Sequence, residues 1–426
     1  MMKKETLFKN KRVLIVGLAR SGFACAQLLS KASVKVRVSD NQRNLMIEEH
    51  ALTLTRMGIE IEIGSHTKDF CQQADIVVVS PGVSNTAWPI VWAQEKNIPI
   101  ISEIEVGWLF CPCPIIAITG STGKTTTTTL IGKVLAEAGF SVIVCGNIGT
   151  PFCQEVTRAT QDSIVVLEVS SFQLEYIDKF CPHIAVLTNI SRNHLDRYAS
   201  MEEYVAAKKR IFMNQKAGDF ALLNAKDNYT NEMLKDIRAK IRLFTSGNGL
   251  NMNEAAVMEV CRIMGISEEV ALKVFKTFGG IEHRMEEVAT IKGVRFINDS
   301  KATTAESCLW ALENILSPVL LICGGRDKGV DYKMVASKAN NKVKTAFLIG
   351  EAREKIAKAF AGKIPFCECS SLEEAVEQAF NKANPGDVIL LSPMCSSFDM
   401  FLDYEHRGKA FKKIVFKLKD RLGQFV

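Results

Sequence analysis

The stretch Ile116-Ala-Ile-Thr-Gly-Ser-Thr-Gly-Lys-Thr-Thr-Thr-Thr-Thr129 has the residue types needed to hold a chain of phosphates. The apolar run Ile115 to Ile118 predicts a buried parallel strand. It breaks into Thr119-Gly120-Ser121-Thr122-Gly123-Lys124-Thr125, after which Leu130, Ile131, Val134 and Leu135 recur at helical spacing. In such a strand–loop–helix, backbone N–H groups and the helix dipole face an anion. A lysine adds a point charge, and a threonine hydroxyl can hold Mg2+. The position five before Gly123 is Ile118, not glycine. The chain therefore carries a shorter G-x-x-G-K-T-T loop rather than the common G-x-x-x-x-G-K-[ST] form. A plain Gly/Ser/Thr turn with a solvated lysine leaves the strand before it and the helix after it unexplained.

Other groups stand where strands should end. Glu168 closes the apolar run Ile164 to Leu167, in reach of a metal beside a phosphate loop; a strand-end carboxylate facing water is the alternative. His194 and Asp196 lie in Thr188-Asn-Ile-Ser-Arg-Asn-His-Leu-Asp-Arg-Tyr198, where a histidine is either a ligand or a structural donor. Spacing alone reads Lys208 as a solvated helix lysine. Near the start, Gly17-Leu-Ala-Arg-Ser-Gly22 is an interrupted G-x-G-x-x-G, with Asp40 ending the next strand. Alanine replaces the glycine that lets backbone approach a pyrophosphate, so NAD, another nucleotide diphosphate and a purely structural turn all remain open. Polar clusters also follow strands at Glu282-His-Arg284, Asn298-Asp-Ser-Lys-Ala-Thr303, Gly324-Gly-Arg-Asp-Lys-Gly329 and Ser392-Pro-Met-Cys-Ser-Ser397. Arg284, Lys301 and Lys328 among them suit anion recognition.

Alternating short apolar runs and helix-periodic stretches must position these groups. They predict an α/β protein with parallel sheets covered by helices. Three blocks emerge: 1–102, 103–280 and 281–426. Strands are expected at Val13 to Val16, Val34 to Val38 and Ile76 to Val79 in the first block. The second has them at Val142 to Cys145, Ile164 to Leu167, Ile184 to Leu187 and Ala221 to Leu223, with helices at Met201 to Phe212 and Asn253 to Met264. The third has strands at Val294 to Ile297, Val319 to Cys323, Ala346 to Ile349 and Val388 to Leu391, then a basic helix over Gly408 to Lys419.

Composition narrows the partners. With 426 residues, 47% hydrophobic and 23% charged, the chain can bury several cores and is not a disordered sequence. A formal charge of +6 suits an anionic small molecule better than a nucleic acid, and no dense basic patch is interleaved with aromatics. The 13 cysteines form no C-x-x-C pair and predict reduced thiols in the cytoplasm. No signal peptide or membrane span is expected.

Taken together, these residues resemble the Mur ligases, the ATP-dependent amide ligases of peptidoglycan synthesis. The resemblance covers essentially the whole chain. Its most specific pieces are Thr-Gly-Ser-Thr-Gly-Lys-Thr-Thr, Leu-Glu-Val-Ser-Ser-Phe-Gln-Leu-Glu, Asn-His-Leu-Asp-Arg-Tyr, Asn-Asp-Ser-Lys-Ala-Thr and Leu-Ser-Pro-Met-Cys-Ser-Ser-Phe-Asp. It implies a Rossmann-like N-terminal domain, a P-loop-type central ATPase domain and a Rossmann-like C-terminal domain in a monomer. It also implies that ATP phosphorylates the carboxylate of UDP-N-acetylmuramoyl-L-alanine and that the D-glutamate amine attacks the acyl phosphate.

The resemblance assigns roles residue by residue. Gly120, Ser121, Thr122, Gly123, Lys124, Thr125 and Thr126 would hold ATP, together with Asn253, Arg284 and Asp299. Thr125, Glu168, His194 and Lys208 as its carbamate would ligate Mg2+; Lys124, Glu168, His194 and Lys208 form the catalytic set. Arg20, Ser21, Asp40, Asn41 and Asn147 would meet the UDP substrate, and Thr303, Lys328, Ser397 and Tyr404 the D-glutamate. Three positions depart from the pattern: Gly249-Leu250 replace His-Asn ahead of Asn253, Tyr404 replaces a phenylalanine, and Arg20 replaces an apolar residue. The rival readings are a superfamily ligase with a different amino acid, or one making folylpolyglutamate. Outside it they are an NAD-dependent oxidoreductase using Gly17 to Gly22 and a non-catalytic nucleotide-binding module. The combination of Lys124, Glu168 and His194 argues against the last two.

Overall fold

Apolar runs too short for helices do become strands, and they assemble into three separate sheets. The computed structural model describes residues 7–191, 197–327, 329, 331–339 and 341–423. The chain divides into two compact units, 1–278 and 279–426.

The first unit holds two parallel sheets. One contains β1 (Arg12–Val16), β2 (Lys35–Asp40), β3 (Glu60–Ile63), β4 (Ile76–Val79) and β5 (Ile100–Ser102), in the order β3-β2-β1-β4-β5. The other contains β6 (Ile115–Thr119), β7 (Ser141–Gly146), β8 (Ser163–Glu168), β9 (Ile184–Leu187), β10 (Phe220–Asn224) and β11 (Lys240–Phe244), in the order β11-β10-β9-β6-β8-β7. The phosphate-loop strand β6 thus lies between β8 and β9, with Ile118 paired to Glu168 and Thr119 to Leu187. All five residues of β6 are buried, as a strand covered by helices on both faces requires. Glu168 and the segment after Leu187 therefore emerge beside the loop after β6, at the carboxyl edge of the sheet. One apolar cluster runs through both sheets' flanking helices, from Leu28 and Ile104 to Phe152 and Phe212.

The second unit has one six-stranded sheet. Its strands are β12 (Glu286–Ile291), β13 (Val294–Asn298), β14 (Val319–Gly324), β15 (Val343–Ile349), β16 (Phe366–Glu368) and β17 (Val388–Leu391), in the order β12-β13-β17-β14-β15-β16. Among the described residues only β12 runs antiparallel, with a register shift between Glu287 and Ala289.

Boundaries move where capping overrides periodicity. The helix expected from Asn253 starts at Met252, because Asn251 and Glu254 form a capping box. The helix expected over Met201 to Phe212 is α-helical only over Met201–Lys209 and closes in a 3-10 turn. The basic helix is longer than its charge pattern suggested, spanning Tyr404–Gly423.

Candidate active site

The phosphate loop is shaped by two glycines that nothing else can replace. Gly120 has φ +149° and Gly123 φ +79°. A Cβ on Gly120 would overlap the Thr188 hydroxyl, and one on Gly123 would overlap Asn253 Oδ1. Gly123 also caps the helix Lys124–Glu137, so the helix N-terminus opens directly onto the loop.

The segment after β9 clamps that loop. Thr188 Oγ1 donates to the Thr122 carbonyl at 2.6 Å. Asn189 accepts from Thr122 N at 3.0 Å and donates to Thr122 O at 3.1 Å. The Ser121 hydroxyl meets Ser191 N at 2.9 Å and the Tyr204 hydroxyl at 3.0 Å. Sequence reasoning missed Thr188, Asn189 and Tyr204. Two of them stand inside the singled-out Thr188 to Tyr198 motif, which was the available signal. His194 and Asp196 lie outside the described residues. Beyond them, Glu175 accepts from the Tyr198 hydroxyl at 2.6 Å and from Arg197 at 3.1 Å, fixing the far end of the segment.

Three charged groups converge under the loop. Lys124 Nζ donates back to Gly120 O at 2.8 Å and Ser121 O at 3.1 Å. Lys208 is only 1% exposed, and its Nζ donates to Gly120 O at 2.9 Å while lying 4.7 Å from the Tyr204 ring centroid. Spacing alone read this lysine as solvated; the fold buries it. Burial first, and Lys124 second, push its pKa well below the ordinary lysine value, against the opposing pull of Glu168. Glu168 is likewise 1% exposed. Asn147 Nδ2 donates to Glu168 Oε1 at 2.7 Å, while Oε2 has no hydrogen-bond partner among the described residues. A buried carboxylate oxygen without a donor is costly unless a cation meets it. With the buried Thr125 hydroxyl on the neighbouring helix, this is an oxygen donor set that fits a hard divalent ion such as Mg2+. Thr126 is half-buried at the same helix start.

The first sheet brings its expected residues to one edge. A Cβ on Gly22 would overlap the Gly17 carbonyl, so the turn needs this glycine for packing whatever it binds. Arg20 is exposed and reaches across to Gly149 O at 2.5 Å, joining the first loop to the Gly146-Asn-Ile-Gly149 turn that carries Asn147. Ser21 is half-buried and Asn41 exposed. Asp40 is buried, and its two oxygens accept from Leu18 N at 2.6 Å and Gln42 N at 2.7 Å, so it tethers the loop backbone.

In the second unit, Asp299 is buried at the end of β13. It accepts from Met285 N at 3.2 Å and Ser392 Oγ at 3.0 Å, and burial pushes its pKa up to about 7. Arg284 is half-buried nearby and draws that value down. Arg407, unremarked in the sequence, is buried and donates to Ser300 Oγ at 3.0 Å, Ser300 O at 2.9 Å and twice to Cys395 O at 3.2 Å. It ties the loop of Lys301 and Thr303 to the loop of Ser397. Lys301 Nζ lies 5.7 Å from the Tyr404 ring centroid, and Tyr404 donates to Glu405 at 3.1 Å. Ser397 is buried and Thr303 half-buried. Lys328 lies outside the described residues.

Three family descriptions match the chain in order: the Mur ligase MurD-like N-terminal domain over 11–102, the Mur ligase middle domain over 118–290, and the Mur ligase glutamate ligase domain over 283–395. A UDP-N-acetylmuramoylalanine--D-glutamate ligase of Koribacter versatilis is 38% identical over 448 residues, covering 97% of this chain and 99% of that one. The chain belongs to the Mur ligase family. A ligase of the same name from Pelotomaculum thermopropionicum is 36% identical to this Mur ligase, again over 97% and 99% of the two chains. The crystal structure of the UDP-N-acetylmuramate-alanine ligase MurC of Thermotoga maritima shares its fold, with a TM-score of 0.57 at 18% identity, covering 96% of this chain and 100% of that one. The oxidoreductase and binding-module readings have no counterpart in these matches.

Proposed function

We propose that this Mur ligase joins D-glutamate to UDP-N-acetylmuramoyl-L-alanine, using ATP and an acyl-phosphate intermediate, in peptidoglycan synthesis. The observation that carries the reading is Lys208, buried beside Lys124 and Glu168 at a phosphate loop, in a chain whose full-length relatives bear that ligase's name.

A carboxylate is a poor acyl donor, and phosphorylation supplies its leaving group. The chain's work is then positioning and charge neutralisation. The loop N–H groups from Gly120 to Thr126 hold the phosphates, and Lys124 swings from its own loop carbonyls to the transferring oxygens. Asn253, Arg284 and Asp299 are assigned to the nucleotide by the family pattern. Burial lowers the Lys208 pKa and favours its neutral amine, whose lone pair can add to CO2 with loss of one N–H proton, turning a base into an oxygen donor. Thr125, Glu168, His194 and that carbamate would hold Mg2+, which neutralises phosphate charge when bound. Asn147 keeps Glu168 turned toward it.

Arg20, Ser21, Asp40, Asn41 and Asn147 are assigned to the UDP substrate. Thr303, Lys328, Ser397 and Tyr404 are assigned to D-glutamate. The functional domains are 1–102, 103–280 and 281–426, and the protein acts as a cytoplasmic monomer. Among the described residues, no helix is long and apolar enough to cross a membrane. All 13 cysteines are free thiols, in keeping with a reducing compartment.

The test is phosphate release from ATP with Mg2+ and UDP-N-acetylmuramoyl-L-alanine, with and without each candidate amino acid. Release that depends on D-glutamate is expected. Release indifferent to it, or dependent on another amino acid, overturns the assignment.

A further inference from the structure

A second set of metal-ligating side chains lies on the first sheet. Glu62 stands on the edge strand β3, His66 follows in the loop, and Cys71 ends the short helix Lys68–Cys71. A carboxylate oxygen, a ring nitrogen and the thiol sulfur lie within 4.8 Å of one another. Ser39, paired with Glu62 across β2 and β3, places its buried hydroxyl among them. It meets Glu62 Oε2 at 3.0 Å and His66 Nδ1 at 2.7 Å.

Among the described residues, no lysine or arginine pairs with Glu62. A second acid–histidine cluster, Glu282, His283 and Glu286, shows the contrast. There Lys412 Nζ donates to Glu282 at 3.0 Å and to Glu286 at 2.5 Å, so a cation is already resident.

We infer that Glu62, His66 and Cys71 form a binding site for one divalent ion of the zinc class. Oxygen, imidazole nitrogen and thiol sulfur together select a borderline-soft ion over Mg2+. On binding, the Cys71 S–H bond breaks, a metal–sulfur bond forms and the proton leaves to water. A water completes the fourth position. The ion would fasten the edge strand β3 to residues 64–71, beside the end of β2, where Asp40 and Asn41 begin the loop assigned to the UDP substrate.

Co2+ added to the full-length protein under reducing conditions tests this, because a thiolate ligand gives a charge-transfer band that oxygen and nitrogen donors at the phosphate loop cannot give. A band saturating at one equivalent, displaced by Zn2+, is expected. Cys71→Ser should remove it, and the half-exposed His66→Gln should weaken Co2+ binding about 10-fold or more. The double variant Cys111→Ser/Cys113→Ser should keep the band, although these two thiols lie 3.6 Å apart. Absence of a stoichiometric band, its persistence in Cys71→Ser, or unchanged affinity in folded His66→Gln overturns the site. Circular dichroism of each variant establishes that it is folded.

Discussion

Lys124 and Lys208 donate to the same acceptor, the main-chain oxygen of Gly120, at 2.8 and 2.9 Å. A carbonyl has two lone pairs and can serve both. Two ammonium groups so close repel, and burial together with Lys124 holds the Lys208 pKa well below the ordinary lysine value.

Lys208→Ala should therefore abolish phosphate release, and a short carboxylic acid should restore part of it by standing in for the carbamate. Lys208→Met should be equally inactive, yet melt no lower than the parent at neutral pH, because it removes an amine that burial disfavours. Full activity in either variant refutes the carbamate role.

Asn147 acts through Glu168. Asn147→Ala removes the donor on Oε1 and frees a carboxylate whose other oxygen has no partner among the described residues. The expected effect is a loss of about 10- to 100-fold in activity, partly recovered at high Mg2+. A change confined to the KM for the UDP substrate, with no shift in Mg2+ dependence, would assign Asn147 to substrate binding alone.

Gly120→Ala tests the loop geometry. The added methyl meets the Thr188 hydroxyl in a backbone conformation that alanine avoids. A destabilisation of about 1–3 kcal/mol in urea unfolding is expected, with loss of ATP binding. Parent-like nucleotide affinity would show that the loop tolerates displacement.

Glu103 gives a pH signature independent of catalysis. It is buried, accepts from Cys153 N at 2.6 Å, and burial pushes its pKa up to about 7. Between the ordinary glutamate value and about 7, the unfolded chain has lost the proton that the native chain retains. Stability therefore falls as pH rises through that window and is level above it. Relative to the parent, Glu103→Gln should gain up to about 1.4 kcal/mol per pH unit within the window. Parallel stability curves for the two proteins would contradict a raised native pKa.

Arg407 is a positioning group in the second unit. Arg407→Lys loses the planar fork that holds Ser300 and Cys395 together. The KM for D-glutamate should rise about 10-fold or more, with a smaller effect on the KM for ATP. Equal effects on both would point to general loss of structure.

Twelve of the strands could be read along the chain, among them β6, β8 and β17, because a strand covered on both faces is an unbroken apolar run. The strands that could not be read are β3, β5, β11, β12 and β16, and all five are sheet edges. Edge strands such as Glu60–Ile63 and Lys240–Phe244 carry alternating charges and resemble loops. Only their neighbours make them strands. This matters for function, since the Glu62 cluster sits on one of those edges.

The sequence by itself determined the phosphate loop and which loops hold polar groups. Glycine torsions, a lysine after glycine and apolar runs are local properties that act wherever the chain goes. Tertiary structure decided that Lys208 is dry, that Asn147 grips Glu168, and that Arg407 joins two loops about a hundred residues apart in sequence. Desolvation and hydrogen-bond partnership depend on which distant segments close over a group. No spacing rule along the chain encodes that.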